Sequence, residues 1–561
     1  MKMEVVRMPN LSQIKRQRMM EFLQKIKEDH KDDDDMLIAL GEIEAELNDK
    51  KYGLVWEKHQ EAVDVMMHTH IPVFTECEEK EITIDEGGNY NFLLEGDNLH
   101  SLRLLQKTHK GRIDVIYIDP PYNTGNKDFI YDDSFVKKED GFRHSKWLSF
   151  MSSRLDIAKE LLGETGCIFI SIGDNELASL KMLCDEIFGE MNFLSIVTRP
   201  TGTHTGVVNK ALVGESDYIL VYCKDINQCA LDGLPLNEKD QKIYDMKDEN
   251  GRFLIRPLRR TGGENRREDR PNMYFPITAP DGTIVYPIGP TGYESRWICN
   301  PEGYKYFESE GRIYWKKTNG KWQVYQKFYL QDKRKAVSNL WSELEGNKKA
   351  TRELQSILKD DTLKFDYPKP TQLIKKIVRM WPYNNAMVLD FFAGSGTTAQ
   401  AVLELNVEDS GNRRFILCTN NENEICEKIT YPRLKTVITG KRDDGTSYSE
   451  GIPTNLKYYH TDFVCKDEEN LSDKLIDHIK EMIQLEHGVK LDNYNYIMIM
   501  DDDEADDIAA RWAEYPDIKA LYVSKNVLFT TEQNTLFKDV DVHIIPDYYF
   551  NFELREVGES W

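Results

Sequence analysis

The stretch from Asp119 to Tyr122 combines residue types suited to recognising an aromatic amine. It reads Asp-Pro-Pro-Tyr and follows residues 114–118, an apolar run rich in β-branched side chains that predicts a buried strand. Pro120 and Pro121 end the strand because neither can donate a ladder hydrogen bond. The Asp119 carboxylate and the Pro120 carbonyl could accept the two hydrogens of an amine while the Tyr122 ring stacks on the flat face. For this motif alone, a strand followed by an ordinary turn remains the alternative.

A second strand-and-turn pattern lies at residues 387–399 and includes Asp390, Phe391, Phe392, Ala393, Gly394, Gly396 and Thr397. The glycines at 394 and 396 would let a ligand approach the backbone. Taken alone, the pattern also fits the loose glycine signature of dinucleotide enzymes, which is a weak signal. Glu422 follows the next predicted strand, residues 414–418, and would suit the ribose hydroxyls of NAD or S-adenosylmethionine. The alternative for Glu422 is a carboxylate in the first turn of a helix.

The composition is that of a globular protein with several domains. The chain has 561 residues, of which 40% are hydrophobic and 30% charged, and this length exceeds a single core. No apolar run approaches the roughly 20 residues of a membrane span, and the amino terminus lacks the apolar core of a signal peptide. Nine scattered cysteines include no Cys-x-x-Cys pair, which argues against a zinc ribbon or a disulfide framework. We therefore expect a cytoplasmic protein with no metal site and no membrane partner.

Strands alternate with helices around the first motif. Strands are predicted near residues 92–95, 167–172 and 218–222, and helices at 147–162 and 177–188. This alternation predicts an α/β fold with a mostly parallel sheet covered on both faces. Asp97 follows the first of these strands and could line a ligand pocket, although a helix cap is the favoured interpretation.

The alternation stops between about residues 226 and 360. Between positions 252 and 270 the sequence has seven arginines and only three acidic residues, although the net charge of the whole chain is −23. Aromatic residues interleaved with lysine and arginine follow, a mixture suited to contacts with the DNA backbone and bases. The alternative is a small β domain whose aromatics form its own core. The candidate DNA-binding residues are Arg256, Arg259, Arg260, Arg266 and Arg267.

The two ends of the chain look like separate units. The amino-terminal part is predicted to be helical, with Phe22 and Ile26 near helical spacing and an apolar segment at residues 52–57 that could dock on another domain. Near the carboxyl terminus, strands are predicted at 496–500, 520–523 and 540–545. The predicted divisions are an amino-terminal helical region (1–75), a first half of the core (76–225), a target-recognition domain (226–360), a second half of the core (361–455) and a small α/β assembly domain (456–561).

With both motifs in view, the chain resembles the amino-group DNA methyltransferases. The Asp-Pro-Pro-Tyr motif precedes the glycine motif, and a long basic segment separates them, which is the permuted order of the β class. Softer likenesses, including Gly96-Asp97-Asn98-Leu99, Lys369-Pro370 and Thr430-Tyr431-Pro432-Arg433, resemble the modification (Mod) subunits of type III restriction-modification systems. The resemblance implies a Rossmann-like sheet that binds S-adenosylmethionine, with an inserted target-recognition domain.

The resemblance also implies roles for individual residues. A flipped adenine would stack on Tyr122, and N6 would donate to Asp119 and to the Pro120 carbonyl. S-adenosylmethionine would be held by the glycine motif, with Glu422 on its ribose, Lys369 and Pro370 on the far side of its pocket, and Asp97 as a further candidate. Double-stranded DNA, a second copy of the chain and a separate ATP-dependent endonuclease (Res) subunit are the implied partners.

Other functions fit the motifs less well. A nicotinamide-dependent oxidoreductase would leave Asp119 to Tyr122 and the arginine run unexplained. A related tetrapeptide serves N4-cytosine methylation, and aspartate rather than serine at its head favours adenine. A DNA-recognition subunit without catalytic activity also remains open, although Asp119, Tyr122, Gly394 and Gly396 are all present.

Overall fold

The computed structural model describes residues 11–31, 34–48, 56–125, 128–131, 134–202, 214–331, 333–344, 346–360, 365 and 368–556. Residues 52–55 of the predicted docking segment lie outside these ranges. The amino-terminal helices are α1 (Leu11–Asp29), α2 (Asp34–Asn48) and α3 (Ala62–Met66). An ion pair between Lys27 and Glu44 joins the first two.

The first part of the core contains β1 (His70–Glu76), β2 (Tyr90–Glu95), α4 (Asn98–Thr108), β3 (Ile113–Ile118), β4 (Ile130–Tyr131), β5 (Ser134–Phe135), α5 (Arg143–Leu161), β6 (Leu162–Ile172), α6 (Leu177–Cys184), β7 (Phe193–Pro200) and β8 (Ser216–Cys223). The next region contains β9 (Leu234–Pro235), α7 (Glu238–Gln241), β10 (Met246–Asp248), β11 (Gly251–Pro257), β12 (Ile277–Thr278), β13 (Ile284–Val285), α8 (Pro301–Ser309), β14 (Ile313–Thr318), β15 (Lys321–Tyr329), β16 (Arg334–Lys335) and α9 (Asn347–Leu358).

The core resumes with α10 (Thr371–Arg379), β17 (Met387–Asp390), α11 (Thr397–Asp409), β18 (Arg414–Thr419), α12 (Tyr431–Thr439) and β19 (Asn455–Cys465). The carboxyl-terminal part contains α13 (Leu471–Ile476), α14 (Ile479–His487), β20 (Tyr496–Ile499), α15 (Asp502–Ala510), β21 (Ala520–Val523), α16 (Thr531–Leu536), β22 (Asp541–Ile544) and α17 (Asn551–Glu556).

One nine-stranded sheet organises the core, with strand order β1-β19-β2-β18-β17-β3-β6-β8-β7. Pairing is parallel from β19 to β6 and antiparallel at both ends. Apolar clusters cover both faces, as expected for strands joined by crossover helices. The predicted Rossmann-like α/β fold is therefore confirmed. The prediction missed β1, β7 and β19, and it did not foresee that β8 runs antiparallel to its neighbours.

Strand order explains how motifs far apart in the sequence come together. β17 pairs directly with β3 in parallel, with Leu389 opposite Ile116. The carboxyl ends of both strands therefore lie at the same edge of the sheet, where open α/β sheets bind ligands. The Asp-Pro-Pro-Tyr motif follows one strand, and the glycine motif follows the other.

The predicted domain divisions can be compared with this sheet. The division after residue 75 falls within β1, and the division after residue 455 falls at the first residue of β19. These two strands pair with each other along their length, so the sheet extends beyond residues 76–455 on both sides. The strands predicted near the carboxyl terminus are present and form a separate parallel sheet, β20-β21-β22.

The inserted region has its own small core. Its main sheet has the order β10-β11-β15-β14, and Leu258, Trp297, Tyr304 and Val324 are buried beside it. The alternative interpretation of the aromatics, as core residues of a β domain, therefore holds for Trp297 and Tyr304. Among the described residues, no helix is long and apolar enough to cross a membrane.

Candidate active site

The loop of residues 119–125, here called the Asp-Pro loop, begins where β3 ends. The Asp119 side chain is 25% exposed, so its carboxylate is accessible. Pro120 is buried, and no described residue donates a hydrogen bond to its carbonyl. The next carbonyl, that of Pro121, accepts from Trp147 Nε1 at 2.8 Å. The loop thus presents one carboxylate and one backbone carbonyl at the edge of the sheet.

Lys369 lies directly on this loop. Its Nζ donates to Asp119 Oδ1 at 2.6 Å and lies 4.9 Å from the centre of the Tyr122 ring. Its side chain is only 6% exposed, and Pro370, in extended conformation, starts the helix that follows. The prediction placed Lys369 and Pro370 beside the cofactor. The structure places the Lys369 ammonium between the carboxylate and the aromatic ring of the first motif.

The Tyr122 ring is fixed by contacts from two other elements. Its hydroxyl donates to Asp217 Oδ2 at 3.3 Å. A Cβ atom at Gly173, just after β6, would lie 2.9 Å from Tyr122 Cδ2, so the ring requires a residue without a side chain there. Burial, with Asp119 and Asp217 nearby, raises the pKa of Tyr122 well above its usual range. The phenol therefore remains protonated at neutral pH.

The turn after Tyr122 is held by a buried polar cluster. Asn123 has a positive φ of 54°, a conformation that asparagine tolerates better than most residues. Its Nδ2 donates to Glu176 Oε1 at 2.6 Å and to the carbonyl of Arg143 at 3.2 Å. His144 also contacts Glu176 Oε1, at 2.5 Å. Asn123 Oδ1, Glu176 Oε2 and Asp128 Oδ1 are buried without a hydrogen-bond partner among the described residues.

The loop of residues 391–396, here called the glycine loop, follows β17. Asp390 is buried and braces this loop, accepting from Thr398 Oγ1 at 2.5 Å and from the Phe392 amide at 3.0 Å. Burial raises the pKa of Asp390 to about 7, and the nearby charge of Asp119 acts in the same direction. The Asp119 carboxylate therefore acts on Asp390 across the boundary between the two loops.

The two predicted glycine positions have different reasons for being glycine. Both adopt positive φ, 49° at Gly394 and 75° at Gly396. A Cβ at Gly396 would lie 2.6 Å from Leu434 Cδ1, whereas one at Gly394 would meet only Phe365 Cζ at 3.5 Å and the Phe392 carbonyl at 3.9 Å. At Gly396 a side chain would therefore be strained by the positive φ and would also force Leu434 of α12 to shift. Gly394 leaves the backbone open to a ligand, which fits a bound S-adenosylmethionine.

A buried arginine ties the glycine loop to α12. Arg433 donates to the Ser395 carbonyl at 3.2 Å, to Ser395 Oγ at 3.1 Å, to Thr397 Oγ1 at 2.8 Å and to Gln400 Oε1 at 2.9 Å. Burial lowers the pKa of Arg433 to about 10, so the guanidinium is still charged at neutral pH. The sequence identified Arg433 only as part of a soft family likeness, and no local pattern predicted this contact.

Asp97 and Asn98 support the site from the start of α4, just after β2. Asp97 caps α4 by accepting from the Leu99 amide at 2.8 Å. This is the helix-cap role that the sequence favoured over a place in the ligand pocket. Asn98, the first residue of α4, donates from Nδ2 to the Phe391 carbonyl at 2.7 Å and thereby joins the start of α4 to the glycine loop. Fully buried Arg154 holds both residues, with 2.5 Å to Asn98 Oδ1 and 3.3 Å to Asp97 Oδ1.

The remaining predicted cofactor residues lie at the same edge. Phe391 and Ala393 are buried, Phe392 is half-buried, and Thr397 begins α11. Glu422 is exposed at the start of a short 3₁₀ helix, Glu422–Glu424, after β18. Because β18 neighbours both β17 and β2, Glu422 lies on the side of the glycine loop away from Asp119.

The predicted DNA-binding arginines are on the surface of the inserted region. Arg256, Arg260, Arg266 and Arg267 are exposed and Arg259 is half-buried. Arg267 pairs with Glu294 at 2.8 Å, and Arg266 lies over the Tyr293 ring at 5.2 Å. Within the described part of the chain, no carboxylate lies within ion-pair distance of Arg256, Arg259 or Arg260. Exposed, unpaired guanidinium groups are suited to phosphate contacts.

Comparisons with known proteins agree with this geometry. A family model described as DNA methylase, of the N6/N4 methyltransferase type, matches residues 113–431, which include both loops and the inserted region. The chain belongs to this DNA methylase family. Its membership confirms the predicted methyltransferase class and S-adenosylmethionine as the methyl donor.

Several known DNA-modification proteins are similar to this chain. The type III restriction-modification enzyme StyLTI Mod subunit of Salmonella typhimurium is 35% identical over 70% of this chain and 63% of its own length. The EcoPI Mod subunit of Escherichia phage P1 is 33% identical over 76% of this chain and 74% of its own length. The type II methyltransferase M.KpnI of Klebsiella pneumoniae is 37% identical over 58% of this chain and 79% of its own length.

Proposed function

We propose that this chain methylates the N6 amino group of adenine at a specific sequence in double-stranded DNA. In this proposal it is the modification and recognition subunit of a type III restriction-modification system. The observation that carries the proposal is the position of Asp119, the Pro120 carbonyl and Tyr122 beside the glycine loop, at the ends of paired strands. The names of the StyLTI and EcoPI relatives support the Mod assignment.

The Asp-Pro loop would bind the target base after it leaves the duplex, because N6 is out of reach within the stack. Tyr122 offers its ring for stacking. Asp119 Oδ1 is engaged by Lys369, so Oδ2 and the Pro120 carbonyl remain to accept the two N6 hydrogens. These hydrogen bonds orient the nitrogen lone pair, and the same carboxylate is placed to receive the proton that N6 loses after transfer.

The glycine loop would hold S-adenosylmethionine, which supplies an electrophilic methyl group when bound. Gly394 admits the ligand to the backbone, Glu422 would bind the ribose hydroxyls, and Phe392 would line the pocket. The neighbouring loops bring the two substrates together, and orientation of this kind is a large contribution to rate. The N6–C bond forms as the S–C bond breaks, so no covalent enzyme intermediate is needed.

The wider assembly follows from the same proposal. The exposed arginines of the inserted region would bind DNA phosphates, and a few of them would read base edges. A separate Res subunit would supply ATP-dependent cleavage, and two copies of the chain would act together in the cytoplasm. Similarity to M.KpnI, named a type II methyltransferase, favours a second candidate in which the chain modifies DNA without such a partner.

Single-molecule sequencing of DNA from cells expressing the wild type or Asp119→Ala tests the reaction. We expect N6-methyladenine at one short motif with the wild type and none with Asp119→Ala, because the variant loses the acceptor for N6. Asp225→Ala, which removes a carboxylate from an exposed turn, is the matched control and should methylate normally. N4-methylcytosine in place of N6-methyladenine would overturn the substrate assignment. Absence of both bases, from soluble protein that binds S-adenosylmethionine, would favour the non-catalytic alternative.

A further inference from the structure

Arg199 is a buried charge next to the candidate active site that the proposed mechanism does not use. It lies near the end of β7, and its side chain is 0% exposed. Its register partner in β8 is Asp217, and its Nη2 lies 3.1 Å from Asp217 Oδ2. The same carboxylate oxygen accepts from the Tyr122 hydroxyl. Asp217 therefore links the guanidinium to the ring on which the target base would stack.

Arg199 also contacts the segment through which the chain returns from the inserted region. Its Nη2 donates to Asn347 Oδ1 at 2.7 Å. The backbone amide of Asn347 donates to the Thr201 carbonyl at 3.2 Å, and the backbone amide of Trp341 donates to the Thr198 carbonyl at 2.9 Å. Residues 339–341 and Asn347 are thus fastened along the edge of β7 and the residue that follows it. The described contacts of Arg199 therefore connect this return segment with Tyr122.

Stability alone explains an arginine at this position poorly. Its Nε and Nη1 atoms are buried and have no partner among the described residues. Unsatisfied donors in the interior are destabilising, and an apolar side chain of similar volume often stabilises a core as well as a buried ion pair does. What the guanidinium supplies is a fixed geometry, because its planar group holds two acceptors at a set angle.

We propose that Arg199 is a positioning residue for the target base. It orients Tyr122 through Asp217, and it couples that orientation, through Asn347, to the segment returning from the inserted region. DNA held by the inserted region then influences the stacking surface at the Asp-Pro loop. This inference rests on the proposed function for its catalytic consequence, while the contacts to Tyr122 can be tested independently.

The first test reads the environment of the Tyr122 ring directly. A single 3-fluorotyrosine is introduced at position 122 of the full-length protein, and its fluorine resonance is recorded. We expect Arg199→Met to displace the resonance, and Asn347→Ala to displace it less. Arg413→Met is the matched control. Arg413 is also a buried arginine whose Nε has no partner among the described residues. It pairs with Asp409 at 2.7 Å, and this ion pair lies outside the candidate active site. Arg413→Met should leave the resonance unchanged.

The second test measures methyl transfer in a single turnover at saturating S-adenosylmethionine. Arg199→Met should lower the rate by roughly 10- to 100-fold, the effect expected for losing a charged hydrogen bond. Affinity for S-adenosylmethionine should not change. When the target adenine lies opposite an abasic position, the loss should shrink, because an unpaired base costs less to extrude. A purely structural defect would lower both rates equally.

The outcomes separate the inference from the proposed function. An unchanged resonance in both Arg199→Met and Asn347→Ala, or an equal rate loss with paired and unpaired targets, would overturn the positioning role. If Arg199→Met does not fold, Asn347→Ala decides the question, since its side chain is only half-buried. If the wild type transfers no methyl group, the proposed function fails, and the fluorine spectra still show whether Arg199 positions Tyr122.

Discussion

The glycine loop and the Asp-Pro loop lie side by side at the ends of paired strands, but they are held differently. In the glycine loop, Arg433 and Asn98 bind backbone carbonyls, and Asp390 accepts a backbone amide. In the Asp-Pro loop, the Pro120 carbonyl has no described donor. One oxygen each of Asn123 and Glu176, which lie next to each other, is buried and has no hydrogen-bond partner within the described part of the chain.

This difference matches the two substrates that the loops would bind. A cofactor is the same molecule in every turnover, and a rigid, internally satisfied loop binds it without reorganisation. A flipped base must enter from a duplex, and its binding surface needs acceptors that are not already used. Fixed hydrogen bonds on the cofactor side and free acceptors on the base side are therefore the expected division.

The largest effect is expected within the glycine loop, from Gly396→Ala. At φ 75° an alanine costs roughly 1–2 kcal/mol, and the Leu434 contact at 2.6 Å adds overpacking of about 1–3 kcal/mol. Gly394→Ala meets no such contact, so its loss of stability should be limited to the roughly 1–2 kcal/mol that the positive φ costs. It should also weaken S-adenosylmethionine binding. Denaturant unfolding and titration calorimetry of both variants measure the two effects.

A double variant checks the cause of the Gly396→Ala effect. Leu434→Ala removes the atom that the new Cβ would meet, so Gly396→Ala should be less damaging in that background than alone. If Gly396→Ala lowers the free energy of unfolding equally in both backgrounds, the contact with α12 is not the reason for glycine at 396.

Asp390 gives a prediction for pH dependence. Its pKa is about 7 in the folded protein and its ordinary value is 3.8, so the folded state binds the proton more tightly than the unfolded state does. This group therefore lowers stability as pH rises from about 4 to about 7, by roughly 4 kcal/mol in total. Asp390→Asn should remove that decline, because the amide does not titrate and Thr398 can still hydrogen-bond to it.

Unfolding midpoints of the wild type and Asp390→Asn at pH 5 and pH 8 test this prediction. The variant should gain stability relative to the wild type at the higher pH. Asp225→Asn, at an exposed turn, should follow the wild type at both. Parallel pH curves for the wild type and Asp390→Asn would show that the buried carboxylate is not protonated near neutrality.

Much of the fold and the centre of the candidate site could be predicted because their signals are local. β-Branched runs such as residues 114–118 mark buried strands, and Pro-Pro or glycine pairs mark where those strands end. Parallel strands joined by helices then place the two motifs at one edge. Asp97 as a helix cap also follows from its neighbours alone.

The supporting residues could not be predicted because their contacts are distant in sequence. Lys369 and Asp119 are 250 positions apart, and nothing around Lys369 indicates a carboxylate partner. Arg433, Asp217 and Arg199 likewise act through tertiary contacts with no periodic signature. Gly173 had a usable signal, since a glycine directly after a predicted strand can mark a close approach. The antiparallel edge at β7 and β8 was missed because strand direction depends on connections rather than on composition.

The smallest effect, and the one that sharpens the comparison most, is expected from Lys369→Met. The family resemblance places Lys369 beside the cofactor, whereas the structure places its ammonium on Asp119. If the structural contact matters, the variant should transfer methyl groups roughly 10- to 100-fold more slowly at saturating S-adenosylmethionine, the scale of one charged hydrogen bond. Single-turnover rates and cofactor affinity, measured on the same protein, decide between the two assignments.

Lys375→Met is the matched control for this prediction. Lys375 lies on the adjoining helix α10, is also nearly buried, and pairs with Glu404 at 2.8 Å rather than with the Asp-Pro loop. It should share any general loss of stability but keep the methylation rate. If Lys369→Met binds the cofactor more weakly but methylates at the normal rate once saturated, Lys369 belongs to the cofactor side of the site. A slower rate with unchanged affinity would assign it to the base side, where it holds Asp119 in place for the incoming amine.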